Sequence, residues 1–129
     1  ETTDTLSDNI PRGGVREETH FEADDKLEAR ASAIGAVEIG SLKLRENAQI
    51  AGRVKSVTVE RADSGQTFTC QIADSSGSIK LVFQGRSAIP GVERGVRLLI
   101  KGTVTSFHRE AVILNPEYEI VGGVGGDEE

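Results

Sequence analysis

Six cations, one phenylalanine and one histidine are the side chains whose type and position suit a chemistry. They are Arg53, Lys55, Lys80, Arg86, Lys101 and Arg109, with Phe107 and His108 directly preceding the last of them. Guanidinium and ammonium groups neutralise phosphate oxygens, and a ring beside an arginine offers a flat surface for a planar group to stack on. The plain alternative is a solvated face with ordinary charges, on which Phe107 caps one end of the fold.

No set of residues converges on catalysis. His20 and His108 are far apart, and neither has an acid or nucleophile at a motif spacing. Cys70 is the single cysteine, so no internal disulfide and no cysteine cluster for zinc forms. Its neighbours in the pattern make it an interior apolar residue, and a Cys70–His108 dyad would need that thiol exposed. Asp74 opens the turn Asp74-Ser75-Ser76-Gly77, where its carboxylate is expected to accept backbone N–H bonds from Ser76 or Gly77. It has no companion ligands at a metal-binding spacing. The expectation is a protein without enzymatic activity, cofactor or metal.

Positioning these residues falls to short elements rich in β-formers. The net charge of −6 is unevenly spread: residues 1–38 hold ten acids and four bases, residues 39–121 eight acids and eleven bases, and residues 122–129 three acids. The middle is therefore mildly basic between acidic ends, a distribution that does not exclude a polyanionic ligand. The acidic ends have two readings, solubility or a cover for the basic surface. No apolar run approaches the length of a membrane span. With nothing resembling a leader peptide in view, the expected location is the cytoplasm.

Residues 1–20 are polar, include Pro11-Arg12-Gly13-Gly14, and are expected to form a disordered arm. A helix is expected over 22–34, with Phe21, Leu27, Ala31 and Ile34 on one stripe and Gly35 as the stop. A connector follows to residue 46, and the barrel region is expected over 47–121. Five strands are expected there, at 49–61, 66–73, 78–84, 96–107 and 111–121.

In the first strand Ile50, Gly52 and Val54 alternate, then Val57 and Val59 do, so the parity shifts by one. A β-bulge near Lys55-Ser56 would absorb the extra residue and bend the strand. In the second, Phe68, Cys70 and Ile72 take one face and Thr67, Thr69 and Gln71 the other. Ile79, Leu81 and Phe83 face inward in the third, and Val96, Leu98, Ile100 and Val104 in the fourth, with Gly102 at a bend. One helical turn is expected around 86–89, and Pro116 points to an edge or an interruption in the last strand. Tyr118 is expected to pack at the barrel end. Residues 122–129 read as a flexible acidic tail.

The segments GRVKSVTV (52–59), IADSSGSIKLVF (72–83), GVRLLIKGTV (95–104) and NPEYEI (115–120) resemble the nucleic-acid-binding OB-fold family of the tRNA-anticodon type. They look most like the wedge domain of RecG-type helicases, where a similar Pro-Glu-Tyr-Glu strand closes the barrel. Ala31–Ala36 also resembles the segment preceding the barrel in small stand-alone OB-fold proteins of actinobacteria. The resemblance implies an all-β, five-stranded OB-fold barrel with a short N-terminal helix and flexible tails. No phosphate loop of a helicase motor occurs in this sequence.

In such barrels the outer face of the first three strands and two hairpin loops form the ligand groove. Arg53, Lys55 and Lys80 have the parity of that face. The implied function is binding of single-stranded or branched nucleic acid, DNA favoured, by a monomer with little sequence specificity. The alternative is a protein-interaction module on the same barrel, which the shortage of aromatic residues favours.

Overall fold

The computed structural model describes residues 19–63 and 65–122. Its elements are helix α1 (His20–Ile34), a 3-10 turn (Ile39–Ser41), and strands β1 (Asn47–Ala62), β2 (Gly65–Ala73), β3 (Ser78–Gln84), β4 (Arg97–Phe107), β5 (Glu110–Leu114) and β6 (Glu117–Gly122). Apart from residues 19, 20 and 122, the expected arm and tail lie outside the described residues.

The bend in β1 organises the sheet. Its first half pairs antiparallel with β4, Asn47 opposite Thr103 through Arg53 opposite Arg97. Its second half pairs with β2, and the register slips between Val54 and Ser56, leaving Lys55 as the bulged residue. One strand can thus serve two neighbours that lie around a corner from each other. Strand β2 continues to β3, β3 runs parallel to β5, and β5 returns antiparallel to β4. The order β1-β2-β3-β5-β4 closes through β4 onto β1, a ring of five strands with β6 added on β4.

The inward parity is as the alternation predicts. Ile50, Val54, Cys70, Ile72, Leu81, Leu98, Ile100, Val104 and Ile113 are fully buried or nearly so. Phe68 and Phe83 are in the same core, their ring centroids 6.1 Å apart. Each such side chain contributes about 1.5–3 kcal/mol through removal from water. Val57 and Val59 share the face of Cys70 and Phe68 but stay about two-fifths exposed, where β1 has run past its pairing with β4. Gly102 sits where a Cβ would lie 2.5 Å from Ile113 Cγ2, so β4 needs a residue without a side chain there.

Three expectations are corrected. The expected fifth strand is two strands: Pro116 lacks an N–H and Asn115 takes φ 48°. At this break Asn115 N donates to Val82 O at 2.7 Å and its Oδ1 accepts from Gln84 N at 2.9 Å. The chain then crosses so that β6 pairs with the other edge of β4. No helical turn forms over 86–89; Gly85, Gly91 and Gly95 all take positive φ, and the connector instead lays Ile89 and Val92 into the core. The packed face of α1 runs through Ala23, Leu27, Ala31 and Ile34, whereas Phe21 is 75% exposed. Ala23 lies two positions after Phe21, which is more than half a helical turn.

Helix α1 starts two residues before the expected point because Thr19 and Glu22 form a capping box. Glu22 N donates to Thr19 Oγ1 and Thr19 N to Glu22 Oε1, each at 3.0 Å. Gly35, at φ 70°, ends it. The helix docks on β1, β4 and β6 through Arg97, which is fully buried. Arg97 Nε donates to Asp24 Oδ1 at 2.9 Å, Nη1 lies 2.9 Å from His20 Nδ1, and Nη1 also donates to Gly95 O. Arg30 makes a second, exposed clamp, its two terminal nitrogens reaching both carboxylate oxygens of Glu119. Asp74 fastens the 3-10 turn: it accepts from Ile39 N at 2.9 Å, Ser76 N at 2.7 Å and Gly77 N at 3.0 Å.

Candidate nucleic-acid interface

After the bulge, Ser56, Thr58 and Glu60 have the outward parity of β1. Pairing carries this parity across the sheet in rows. Ser56 lies opposite Gln71, Gln71 opposite Lys80, and Lys80 opposite Val112. The next row holds Thr58, Thr69 and Val82, and the one beyond it Glu60, Thr67 and Gln84. The β4–β5 turn rises at one side. The result is a groove of about 370 Å³ lined by Ser56, Thr58, Glu60, Thr69, Gln71, Lys80, Val82, Phe107, His108, Glu110 and Val112. Its β3–β5 side is apolar, since Val82 and Val112, members of the same rows, are buried.

The lining of this groove is slightly acidic rather than basic, with one lysine against two glutamates. Lys80 Nζ lies 3.0 and 3.2 Å from the two oxygens of Glu110, and Glu60 adds a second acid to the lining. The register separates them: Glu60 is two rows from Lys80, away from the β4–β5 turn, while Arg53 lies one row from Lys80 toward that turn. Both members of the Lys80–Glu110 pair are substantially exposed, so water screens their attraction and a competing anion finds Lys80 accessible.

The β4–β5 connection is a two-residue turn between paired Phe107 and Glu110, with His108 at φ 52° and Arg109 at φ 71°. Two successive positive φ values are what a type I′ hairpin requires, and glycine or asparagine meets that requirement with less strain than histidine or arginine. The His108 ring stands edge-on to Phe107, centroids 4.3 Å apart at 77°. Phe107 is half-buried and His108 exposed.

Of the residues singled out in the sequence, Lys80, Phe107 and His108 meet in the groove, and Arg109 shares their turn. Arg53 is half-buried on β1 and Lys55 is exposed at the bulge; both precede the groove residues on the same strand. Arg86 is exposed in the β3–β4 connector. Lys101 is elsewhere, in a cleft with Arg30, Gln49, Glu117, Tyr118 and Glu119 beside α1. Ser56, Thr58, Thr69, Gln71 and Glu110 were not singled out. The parity that set Thr69 and Gln71 opposite Cys70 carried that signal for β2, and the bulge carried it for β1.

The remaining candidates have structural roles. Burial pushes the Cys70 thiol up to about 12, so it stays protonated and unreactive at neutral pH. At Asp74 partial burial is the largest single influence and opposes ionisation. The hydrogen bonds from Ile39, Ser76 and Gly77 together outweigh it and hold the carboxyl below its ordinary range. Among the described residues no three His, Cys, Asp or Glu side chains are grouped to hold a metal ion, and no helix is long and apolar enough to cross a membrane.

A family model described as "OB-fold nucleic acid binding domain", of the tRNA-anticodon type, matches residues 48–121, more than half of the chain. No curated protein matches it in sequence. Among solved structures the p204 HINb domain is similar, with TM-score 0.55 and 19% identity over 73% of this chain and 51% of that one. The Ifi202 HINa domain in complex with 20bp dsDNA has TM-score 0.51 and 14% identity over 67% and 47%. RecG bound to a three-way DNA junction has TM-score 0.50 and 16% identity over 64% and 12%. The chain spans about half the length of the HIN domains it matches. At these identities the likeness is one of fold.

Proposed function

We propose that this chain, which belongs to the OB-fold nucleic acid binding domain family, is a non-catalytic module that binds DNA along the groove crossing β1, β2 and β3. The observation that carries the reading is the coincidence of the family match with an open, polar groove on the outer face of those strands, bordered by a cationic turn. Lys80 and Arg109 supply charge to phosphates, with Arg53 and Lys55 extending the track along β1. Ser56, Thr58, Thr69 and Gln71 supply neutral donors, and Phe107 with His108 forms the rim. Contacts of this kind fix a backbone without reading bases, so sequence specificity is low.

Affinity is modest, because the one lysine lining the groove is outnumbered by two glutamates. The test is an anisotropy titration of a labelled DNA oligonucleotide at two salt concentrations. Binding that weakens with salt, and weakens further in Arg53→Ala/Lys55→Ala/Lys80→Ala with an unchanged melting temperature, is the expected result. No binding at low salt would sink the reading. The excess of glutamate over lysine in the groove favours one alternative, an interaction with a protein, for which a captured partner would survive nuclease treatment.

A further inference from the structure

The aromatic residues of the chain are four phenylalanines and one tyrosine, with no tryptophan. Phe68 and Phe83 are buried in the core, and Tyr118 on β6 stands edge-on to Phe83 with centroids 5.9 Å apart. Phe21 is exposed on α1. Only Phe107, with His108 against it, reaches the groove. The rows that cross β1, β2 and β3 hold Ser56, Gln71 and Lys80, then Thr58, Thr69 and Val82, then Glu60, Thr67 and Gln84, and none of these carries a ring.

A single strand that leaves its own stack needs rings to replace the lost base–base contacts, each worth about 1–3 kcal/mol, or a dense run of cations along its backbone. This groove has neither. A paired helix keeps its bases stacked on one another and presents sugar and phosphate oxygens outward. Hydroxyl and amide donors are among the side chains that bind such oxygens. Ser56, Thr58, Thr69 and Gln71, grouped on the outer face of β1 and β2, fit that surface.

We propose that the groove receives the sugar–phosphate edge of paired, double-helical DNA in preference to an unstacked single strand. The inference rests on the nucleic-acid reading above and narrows its ligand. The phosphate track enters from the β4–β5 turn, the side on which Arg53, Lys80 and Arg109 lie, and Glu60 marks its far end. Because neutral donors make most of the contacts, few counterions are released on binding.

The experiment is anisotropy at low salt with the full chain, one labelled oligonucleotide, and its blunt duplex of the same sequence. The expected result is about tenfold tighter binding to the duplex, with a log–log salt slope no steeper than about −3. Thr58→Val/Thr69→Val should cost the duplex about tenfold in affinity at unchanged melting temperature, since volume is kept and only hydroxyls are lost. Thr69→Phe, which adds a ring to the groove, should raise single-strand affinity selectively. Equal or tighter binding of the single strand by the unmodified protein, or a duplex affinity indifferent to loss of both hydroxyls, would overturn the inference while leaving nucleic-acid binding intact. Binding to neither probe would remove both.

Discussion

The ring presents two polar outer faces, and they treat charge in opposite ways. On the face covered by α1, Arg97 has outward parity yet is fully buried, each interaction committed to Asp24, His20 or Gly95. On the open face, Lys80 is also charged and outward but keeps its ammonium group accessible beside Glu110. An outward charge is therefore structural where another element covers it and available to a ligand where none does. Lys101 shows that position also matters. It has the type and alternation of a groove cation, but lies in the cleft beside α1 with Glu117 and Glu119.

The comparison is broken most severely at Asp24. Asp24→Ala leaves the buried Arg97 guanidinium without its carboxylate, and removing one partner of such a pair costs about 3–5 kcal/mol when both are buried. Asp24 is itself 60% exposed, so a value near the lower end, about 3 kcal/mol, is expected from chemical denaturation. DNA affinity measured well below the transition should stay unchanged; a loss of affinity would mean that the covered face takes part in binding.

A smaller effect is expected at Asp74, which ties the connector to the β2–β3 turn. Asp74→Asn should lose about 1–2 kcal/mol at neutral pH, since hydrogen bonds to a charged acceptor weaken. The native carboxyl titrates below its unfolded value. Its contribution is therefore complete above the ordinary aspartate value of about 3.9. It fades as pH falls through the lowered native value. Denaturation of both proteins across acid pH should show the gap closing in that window; a gap independent of pH would assign the effect to shape rather than charge.

The β4–β5 turn separates stability from binding. His108→Asn/Arg109→Gly places residues suited to positive φ at both positions and is expected to stabilise the protein by about 1 kcal/mol, read as a raised melting temperature. The same change should weaken DNA binding, because it removes a cation and a ring from the rim. Stabilisation with full affinity would exclude the turn from the interface. The smallest effect on stability belongs to Glu110→Gln, where breaking an exposed pair changes folding by less than about 1 kcal/mol. Affinity should rise, as Lys80 loses its competing carboxylate; a fall would show that Glu110 orients Lys80 for the ligand.

The alternation in β1 to β4 was legible because one face of each strand is core, and one parity shift at Lys55 was enough to place the bulge. The break at Asn115-Pro116 was half legible: proline signalled an interruption, but the crossing of β6 to the far edge of β4 depends on pairing partners that no local pattern encodes. Arg97 was not legible, because α1 covers it from more than seventy positions away in sequence. For the same reason the groove was only partly read. Cations stand out by type, whereas Ser56, Thr58, Thr69 and Gln71 gain meaning from rows that form when three strands pair.

An amide NMR titration with a blunt DNA duplex tests the central claim, that the open face and not the covered one meets the ligand. The predicted result is a contiguous set of shifts at Ser56, Thr58, Thr69, Gln71, Lys80 and His108, with Ala23, Leu27 and Arg97 unmoved. Shifts concentrated on α1 and β6, or none anywhere at low salt, would contradict it.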